Sequence, residues 1–106
     1  VEVPFDMMIG TTVVRGRVDA VFDDGDGAQI VVDWKTGDPP STPEAQRAAA
    51  VQLAVYRLAW AGMSGRPLDS VRAAFHYVRS GVTVRPDELP GPDELAALLA
   101  QEELTS

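Results

Sequence analysis

Residues 28–35 read AQIVVDWK, a run of β-branched and apolar residues that ends in an acidic, an aromatic and a basic side chain. This composition predicts a β-strand, in which residues two apart point to the same face. Asp33 and Lys35 therefore project together. Lys35 is the only lysine among 106 residues, and eight arginines carry the other positive side-chain charges. The compact ammonium of Lys can shift its pKa, whereas the guanidinium of Arg stays charged. A Lys beside a carboxylate in this chain therefore indicates a catalytic role more than a solvated surface charge.

A second predicted strand runs from Arg15 to Phe22 and would pair with the first. The residues between them, DDGDG at 23–27, are dense in turn formers. We expect a hairpin centred near Asp26. In that hairpin Asp19 lies opposite Asp33, with Cβ atoms about 5 Å apart.

Two carboxylates at that separation are unfavourable unless a cation lies between them. Oxygen ligands of this kind suit Mg²⁺ or Mn²⁺, which proteins commonly hold through one or two carboxylates, water and substrate phosphate. A bound metal activates water and polarises a phosphoryl oxygen, and an adjacent ammonium stabilises the charge that develops. The pattern predicts phosphodiester hydrolysis. The alternative is a surface ion pair between Asp33 and Lys35 at a strand end.

A long helix is predicted next in the chain. Ser41 and Glu44 have capping-box spacing, Pro43 suits a first helical turn, and residues 44–61 contain neither Gly nor Pro before Gly62.

Gln52 and Tyr56 lie on one face of this helix because they are four residues apart. Their polar groups can orient a metal-bound water or a phosphate. The alternative is that Gln52 is a polar residue at the rim of the helix and Tyr56 a half-buried packing aromatic.

Three segments together resemble a known family: GRVD at 16–19, VDWKTG at 32–37 and QLAVY at 52–56. Their types and order are similar to those of the PD-(D/E)XK nuclease superfamily, and most closely to its RecB-like branch, found at the C-termini of bacterial helicase-nucleases that process DNA ends. The resemblance covers roughly residues 1–85, and the ordered combination is more specific than any single motif.

The resemblance implies roles for the residues in the two strands. Asp19 and Asp33 would be catalytic metal ligands for Mg²⁺ or Mn²⁺, the backbone carbonyl of Trp34 would complete the metal sphere, and Lys35 would be the catalytic lysine. On the helix, it makes Gln52 and Tyr56 supporting residues that contact DNA or the site.

Some features of the RecB-like branch are missing from this sequence. An upstream helix with a further His or Glu ligand is not contained in the chain, and Glu2 is the only weak substitute. His76, the single histidine, matches no ligand position, so we expect it to be structural. The chain has no cysteine, so it cannot ligate the iron-sulfur cluster of some relatives or form a disulfide.

Length and composition predict one soluble domain. The 106 residues are 45% hydrophobic and 24% charged, with no initiator Met, no signal peptide and no apolar run that would span a membrane. We expect residues 1–106 to form a single nuclease-like domain from the C-terminal part of a larger protein in the bacterial cytoplasm. No Gly-rich phosphate loop occurs, so ATP would be used only by a helicase motor outside this chain.

The net charge of −7 opposes DNA binding by the chain alone, because nucleic-acid-binding proteins usually present a basic face. We expect a motor domain to hold the DNA and the isolated chain to bind it poorly. Arg15, Arg17, Arg47 and Arg57 are candidates for a local positive rim.

The remaining segments predict scaffold. Val3–Val14 gives a first strand that pairs with Arg15–Phe22 through a turn or bend near residues 10–12. Val71–Arg79 and Val82–Arg85 form a second hairpin, and residues 91–94 open a short C-terminal helix. The predicted fold class is α/β: a mixed four- or five-stranded sheet with one long helix packed across it and the short C-terminal helix, a restriction-endonuclease-like core lacking its upstream helix.

The expected function is metal-dependent DNA hydrolysis within an ATP-dependent helicase-nuclease that acts on DNA ends in repair or recombination. Two alternatives stay open: a nuclease fold used as a non-catalytic DNA-end or protein-docking module, and a stand-alone repair or restriction-type endonuclease.

Overall fold

The computed structural model describes residues 2–86 and 88–105. Its strands, in chain order, are β1 (Val3–Ile9), β2 (Thr12–Val18), β3 (Ala20–Asp23), β4 (Gln29–Lys35), β5 (Val71–Tyr77) and β6 (Val82–Val84). Its helices are α1 (Pro43–Ser64) and α2 (Pro92–Thr105), with one 3-10 turn at Leu68–Ser70.

The strands form two sheets. β1 and β2 pair as an antiparallel hairpin, and the other four form a mixed sheet in the order β3-β4-β5-β6. Only β4 and β5 are parallel in this mixed sheet, and α1 is the crossover that joins them. The predicted α/β class, with a mixed sheet, one long helix and a C-terminal helix, is confirmed.

The segment Arg15–Phe22, predicted as one strand, is two. Its first half belongs to β2 and pairs with β1, whereas its second half is β3 and pairs with β4. Asp19 lies between them, at the point where the chain passes from one sheet to the other. The prediction was wrong because a continuous β-forming composition does not reveal a change of pairing partner.

The hairpin centred near Asp26 is confirmed. Ala20 pairs with Val32 and Phe22 with Ile30, and Asp26 adopts a positive φ of 52° in the turn. One further step along this register places Asp19 opposite the residue after Val32, as predicted.

Helix α1 begins one residue later than the Ser41 capping box predicts. Thr42 is the N-cap, and its hydroxyl accepts a hydrogen bond from the backbone N–H of Ala45 at 3.1 Å. The helix continues through Gly62 and ends at Ser64, because Gly65 adopts the left-handed conformation, φ 71°, that terminates helices.

Helix α1 covers the sheet face that carries the odd-numbered residues of β4. Leu53 is fully buried against Phe75 and Tyr77 of β5, and Ala54 lies in the same core cluster as Val31 and Leu95 of α2. Asp33 shares the face of Val31 by strand alternation, so the core that fixes β4 also holds this carboxylate beneath α1.

The predicted second hairpin is confirmed by the antiparallel pairing of β5 with β6, and the predicted C-terminal helix by α2. Within the described residues, no helix is both long and apolar enough to cross a membrane.

Candidate active site

Two carboxylates meet at the end of β4, and we call them the acidic pair: Asp19 and Asp33. Asp33 is 7% exposed, the only polar or charged residue among the buried ones that the structure describes. Asp19 lies at the junction of the two sheets, and its Oδ2 is held in place by a hydrogen bond that it accepts from the backbone N–H of Trp34 at 3.2 Å. The pair therefore combines a buried carboxylate, Asp33, with a partly exposed one, Asp19.

The two carboxyl groups have opposite pKa shifts. Burial, followed by the hydrogen bond with Asp19, raises the pKa of Asp33 to about 6, while the neighbouring Lys35 ammonium acts to lower it. The same hydrogen bond, followed by that from the Trp34 N–H, lowers the pKa of Asp19. Without a bound cation, the pair therefore retains a proton on Asp33 at pH values where a free carboxyl is ionised.

Lys35 lies on the same face as Asp33, as the strand pattern predicts. Its Nζ is 3.1 Å from Asp33 Oδ2, and the ammonium lies 5.1 Å from the centre of the Phe75 ring. Asp33 Oδ2 is nevertheless a buried oxygen without a hydrogen-bond partner among the described residues. The contact is an ion pair without hydrogen-bond alignment, so this oxygen remains available to another ligand.

Arg17 contacts the other member of the acidic pair. Its Nε is 3.7 Å from Asp19 Oδ1 and its Nη1 is 3.3 Å from Glu2 Oε2. Glu2 therefore contacts Arg17, and in the part of the chain that the structure describes no group of three Asp, Glu, His or Cys side chains is arranged to hold a metal ion.

Gln52 and Tyr56 contact each other on α1. The Gln52 side-chain amide donates to the Tyr56 hydroxyl oxygen at 2.9 Å. Burial raises the pKa of Tyr56, and the nearby charge of Asp33 raises it further. Because the charge of Asp33 affects the pKa of Tyr56, helix α1 holds Gln52 and Tyr56 near the acidic pair. The helical spacing predicted their shared face, and the hydrogen bond confirms it.

Phe5 is a positioning residue that the sequence reasoning missed. Its ring packs edge-on against Tyr56, with centroids 6.1 Å apart. It also lies opposite Gly16 in the β1–β2 hairpin, where an added Cβ would come within 2.7 Å of the ring. The glycine of the GRVD segment thus makes room for the ring that supports Tyr56. The signal in the sequence was an aromatic residue opposite a glycine, visible only once the register was known.

A groove of about 440 Å³ opens beside Lys35. Its walls include Gly37, Ala48 and Ala49, with Gln52 at the same groove. Small side chains on α1 thus leave space next to the ammonium, and the volume lies within the range of ligand pockets.

The remaining candidates lie elsewhere. His76 contacts Trp34, with ring centroids 5.6 Å apart, and its Nδ1 is 2.8 Å from the Thr83 hydroxyl, on the sheet face opposite Asp33. Arg57 does not belong to a positive rim, because it donates to the carbonyl oxygens of Val71 at 2.6 Å and Leu68 at 2.9 Å. This arginine was predicted wrongly: its guanidinium satisfies backbone groups of the crossover.

The donor set fits a hard divalent cation. Both members of the acidic pair offer carboxylate oxygens, and one of these oxygens is buried and has no hydrogen-bond donor among residues 2–86 and 88–105. Mg²⁺ and Mn²⁺ prefer oxygen ligands, and two protein carboxylates suffice where water and phosphate complete the shell.

Comparison with known proteins agrees with this geometry. A family model described as the PD-(D/E)XK nuclease superfamily matches residues 1–104. A search of curated proteins and a search of solved structures each gave no match. The matched segment spans the mixed sheet, both helices and every residue of the site described above. Because the match covers almost the whole sequence, this chain belongs to the PD-(D/E)XK nuclease superfamily.

Proposed function

We propose that the chain is a nuclease domain that hydrolyses DNA phosphodiester bonds with Mg²⁺ or Mn²⁺ held by the acidic pair. One observation carries the proposal: Asp33 Oδ2 is buried without a hydrogen-bond partner in the described part of the chain, next to a second carboxylate and an ammonium. Buried polar groups in proteins are normally satisfied, so an exception at a family motif indicates a missing ligand.

Asp19, Asp33 and the backbone carbonyl of Trp34 are the proposed metal ligands. Neighbouring peptide groups of a strand point to opposite edges, and the Trp34 N–H already points to Asp19. The Lys35 carbonyl accepts from the Val78 N–H, which belongs to the opposite edge. The Trp34 carbonyl therefore faces the edge where Asp19 lies. When bound, the metal supplies an activated water and a polarised phosphoryl oxygen.

Lys35 is the proposed catalytic lysine. Its side chain is 35% exposed and thus reaches solvent at the groove, while Asp33 and the Phe75 ring hold its ammonium near the acidic pair. From this position the ammonium donates to an oxygen of the scissile phosphate, where negative charge increases in the transition state.

Gln52 and Tyr56 are proposed to orient water or phosphate. The Tyr56 hydroxyl oxygen accepts from Gln52, which leaves the hydroxyl proton free to be donated. The edge-on contact with Phe5 fixes the phenol ring, so this proton has a defined direction.

The RecB-like motifs support a narrower context. We infer that residues 1–106 form one domain in the C-terminal part of a bacterial helicase-nuclease that processes DNA ends in repair or recombination. The net charge of −7 supports an associated motor that binds the DNA and uses ATP, because this chain offers little positive surface of its own.

The test is cleavage of end-labelled linear DNA by the chain at high enzyme concentration. We expect products with Mn²⁺ or Mg²⁺, none with a chelator, and none from Asp33→Asn, whose amide cannot replace an anionic ligand. Asp24→Asn, in the turn between β3 and β4 and outside the site, is the matched control and should cleave normally. Cleavage by Asp33→Asn at the normal rate would contradict the proposal, and calorimetric titration with Mn²⁺ separates loss of binding from loss of chemistry.

A further inference from the structure

Arg17 is held loosely between two carboxylates. Its side chain is 60% exposed, and its contacts to Glu2 and Asp19 measure 3.3 and 3.7 Å. Both exceed the usual length of an N–H···O hydrogen bond, about 2.7–3.2 Å. The guanidinium thus has charge partners nearby but no well-formed hydrogen bond to either of them.

Other arginines of the chain are bound more closely. Arg15, two residues earlier and on the same face of β2, donates to Asp6 at 3.1 Å. Arg72 and Arg85 donate to Asp24 at 2.6 and 2.7 Å. Among the arginines that the structure places in carboxylate ion pairs, the most loosely held is the one beside the acidic pair, which indicates that its ligand is not Glu2 or Asp19.

Arg17 and Lys35 contact different members of the acidic pair. Lys35 contacts Asp33, whereas Arg17 lies beside Asp19. A polynucleotide backbone that crosses the acidic pair therefore meets a cation beside each carboxylate, and consecutive phosphates supply an anion for each. A guanidinium fork matches a phosphate with two parallel hydrogen bonds, which neither present contact provides.

We propose that Arg17 binds a DNA phosphate next to the scissile one, and that Glu2 holds its guanidinium until DNA replaces it. The proposal rests on the proposed nuclease function and adds a second anion subsite to it. A DNA phosphate can readily replace Glu2 as the partner of Arg17, because exposed ion pairs contribute little to stability.

The experiment measures fluorescence anisotropy of a short labelled single strand in the Asp33→Asn background, which keeps the DNA intact. We expect Arg17→Ala to weaken binding several-fold and to reduce the slope of log Kobs against log salt by about 0.7, the value for one phosphate contact on single-stranded DNA. Arg17→Lys should keep that slope but bind less tightly, because it retains the charge and loses the fork.

Two further variants make the test specific. Arg15→Ala removes an equal charge from the same face of the same strand and should leave the slope unchanged. Glu2→Gln should tighten binding, because the competing carboxylate is gone. Equal effects of Arg15→Ala and Arg17→Ala would overturn the proposal, as would wild-type affinity of Arg17→Ala or no measurable DNA binding at low salt.

The two proposals fail separately. If Arg17→Ala binds like its parent while Asp33→Asn abolishes cleavage in the otherwise unchanged chain, the phosphate subsite is wrong and the nuclease function stands. If Asp33→Asn cleaves normally, the nuclease function is wrong whatever the binding data give.

Discussion

Two groups of charged side chains at the edges and ends of the four-stranded sheet have opposite balances of charge. In the Asp24 cluster, defined by Asp24, Arg72 and Arg85, one carboxylate oxygen accepts from two guanidinium groups at 2.6 and 2.7 Å. The acidic pair instead places two carboxylates beside Lys35, with a buried oxygen that lacks a hydrogen-bond partner among the described residues. The cluster has an excess of cations, whereas the pair has an excess of anions.

Their pKa shifts express this difference. The hydrogen bond from Arg72, and then that from Arg85, lowers the pKa of Asp24, while burial raises that of Asp33 to about 6. The comparison teaches that a carboxylate whose pKa is lowered by two guanidinium donors, with no second carboxylate beside it, is a structural anchor. A buried carboxylate next to another, with a raised pKa, indicates a site for an added cation.

The largest expected effect is on catalysis through Lys35. Lys35→Ala should slow single-turnover DNA cleavage at saturating Mn²⁺ by about 10²–10³-fold, the range for loss of one preorganised electrostatic donor. Lys35→Arg should also be slow, because a planar fork replaces a compact ammonium. Arg72→Lys makes the reverse exchange in the Asp24 cluster, an ammonium in place of a guanidinium, and this variant should cleave normally. Near-normal cleavage by Lys35→Arg would reduce Lys35 to an ion-pair partner and remove the contrast between the two groups.

The next effect is a pH dependence of stability without divalent metal. The folded chain keeps a proton on Asp33 up to about pH 6, whereas the unfolded chain releases it near 3.8. Stability therefore falls as the pH rises through this window, by up to about 3 kcal/mol. Asp24, whose pKa is lowered, acts in the opposite direction: its contribution is present at neutral pH and lost as the pH falls below about 4.

Urea unfolding between pH 3 and 8 measures both effects. Asp33→Asn should remove the loss of stability between about pH 4 and 6, and Asp24→Asn should leave that loss in place. If the free energy of unfolding of Asp33→Asn falls between about pH 4 and 6 as steeply as that of the wild-type chain, the buried carboxyl is not the cause of the pH dependence.

The smallest predicted effect is stabilisation by metal. Mn²⁺ at about 100 times its Kd should stabilise the folded chain by about 2.7 kcal/mol, because it binds only the native state. This corresponds to a rise in Tm on the order of 10 °C for a domain of this size. Asp19→Ala should abolish the rise and Asp24→Asn should keep it. A Tm that is indifferent to millimolar Mn²⁺ and Mg²⁺ in the wild-type chain would remove the distinction between the acidic pair and an ordinary ion pair.

Local periodicity was sufficient for the parts of the site that lie on one element. Alternation along β4 placed Asp33 and Lys35 on one face, and the helical repeat did the same for Gln52 and Tyr56. The turn-rich segment at 23–27 gave the hairpin register that brings Asp19 opposite Asp33. These relations depend only on the 2- and 3.6-residue periods and on turn chemistry, which act over a few residues.

What depends on contacts between distant segments was not predictable from such patterns. Arg57 was expected at a positive rim, yet its guanidinium satisfies carbonyl oxygens of Leu68 and Val71, eleven and fourteen residues away. The role of Phe5 required the pairing of β1 with β2, and the loose position of Arg17 required Glu2 to lie beside it.

The sequence by itself determined which residue types stand at which spacing, and hence the β4 strand, the long helix, the Asp33–Lys35 face and the family motifs. Only the tertiary structure decided that the chain changes sheets at Asp19 and that one oxygen of Asp33 is buried without a hydrogen-bond partner among the described residues. The reason is physical: periodicity fixes the direction of a side chain relative to its own backbone, whereas burial, pairing partner and pKa depend on which other segments pack against it.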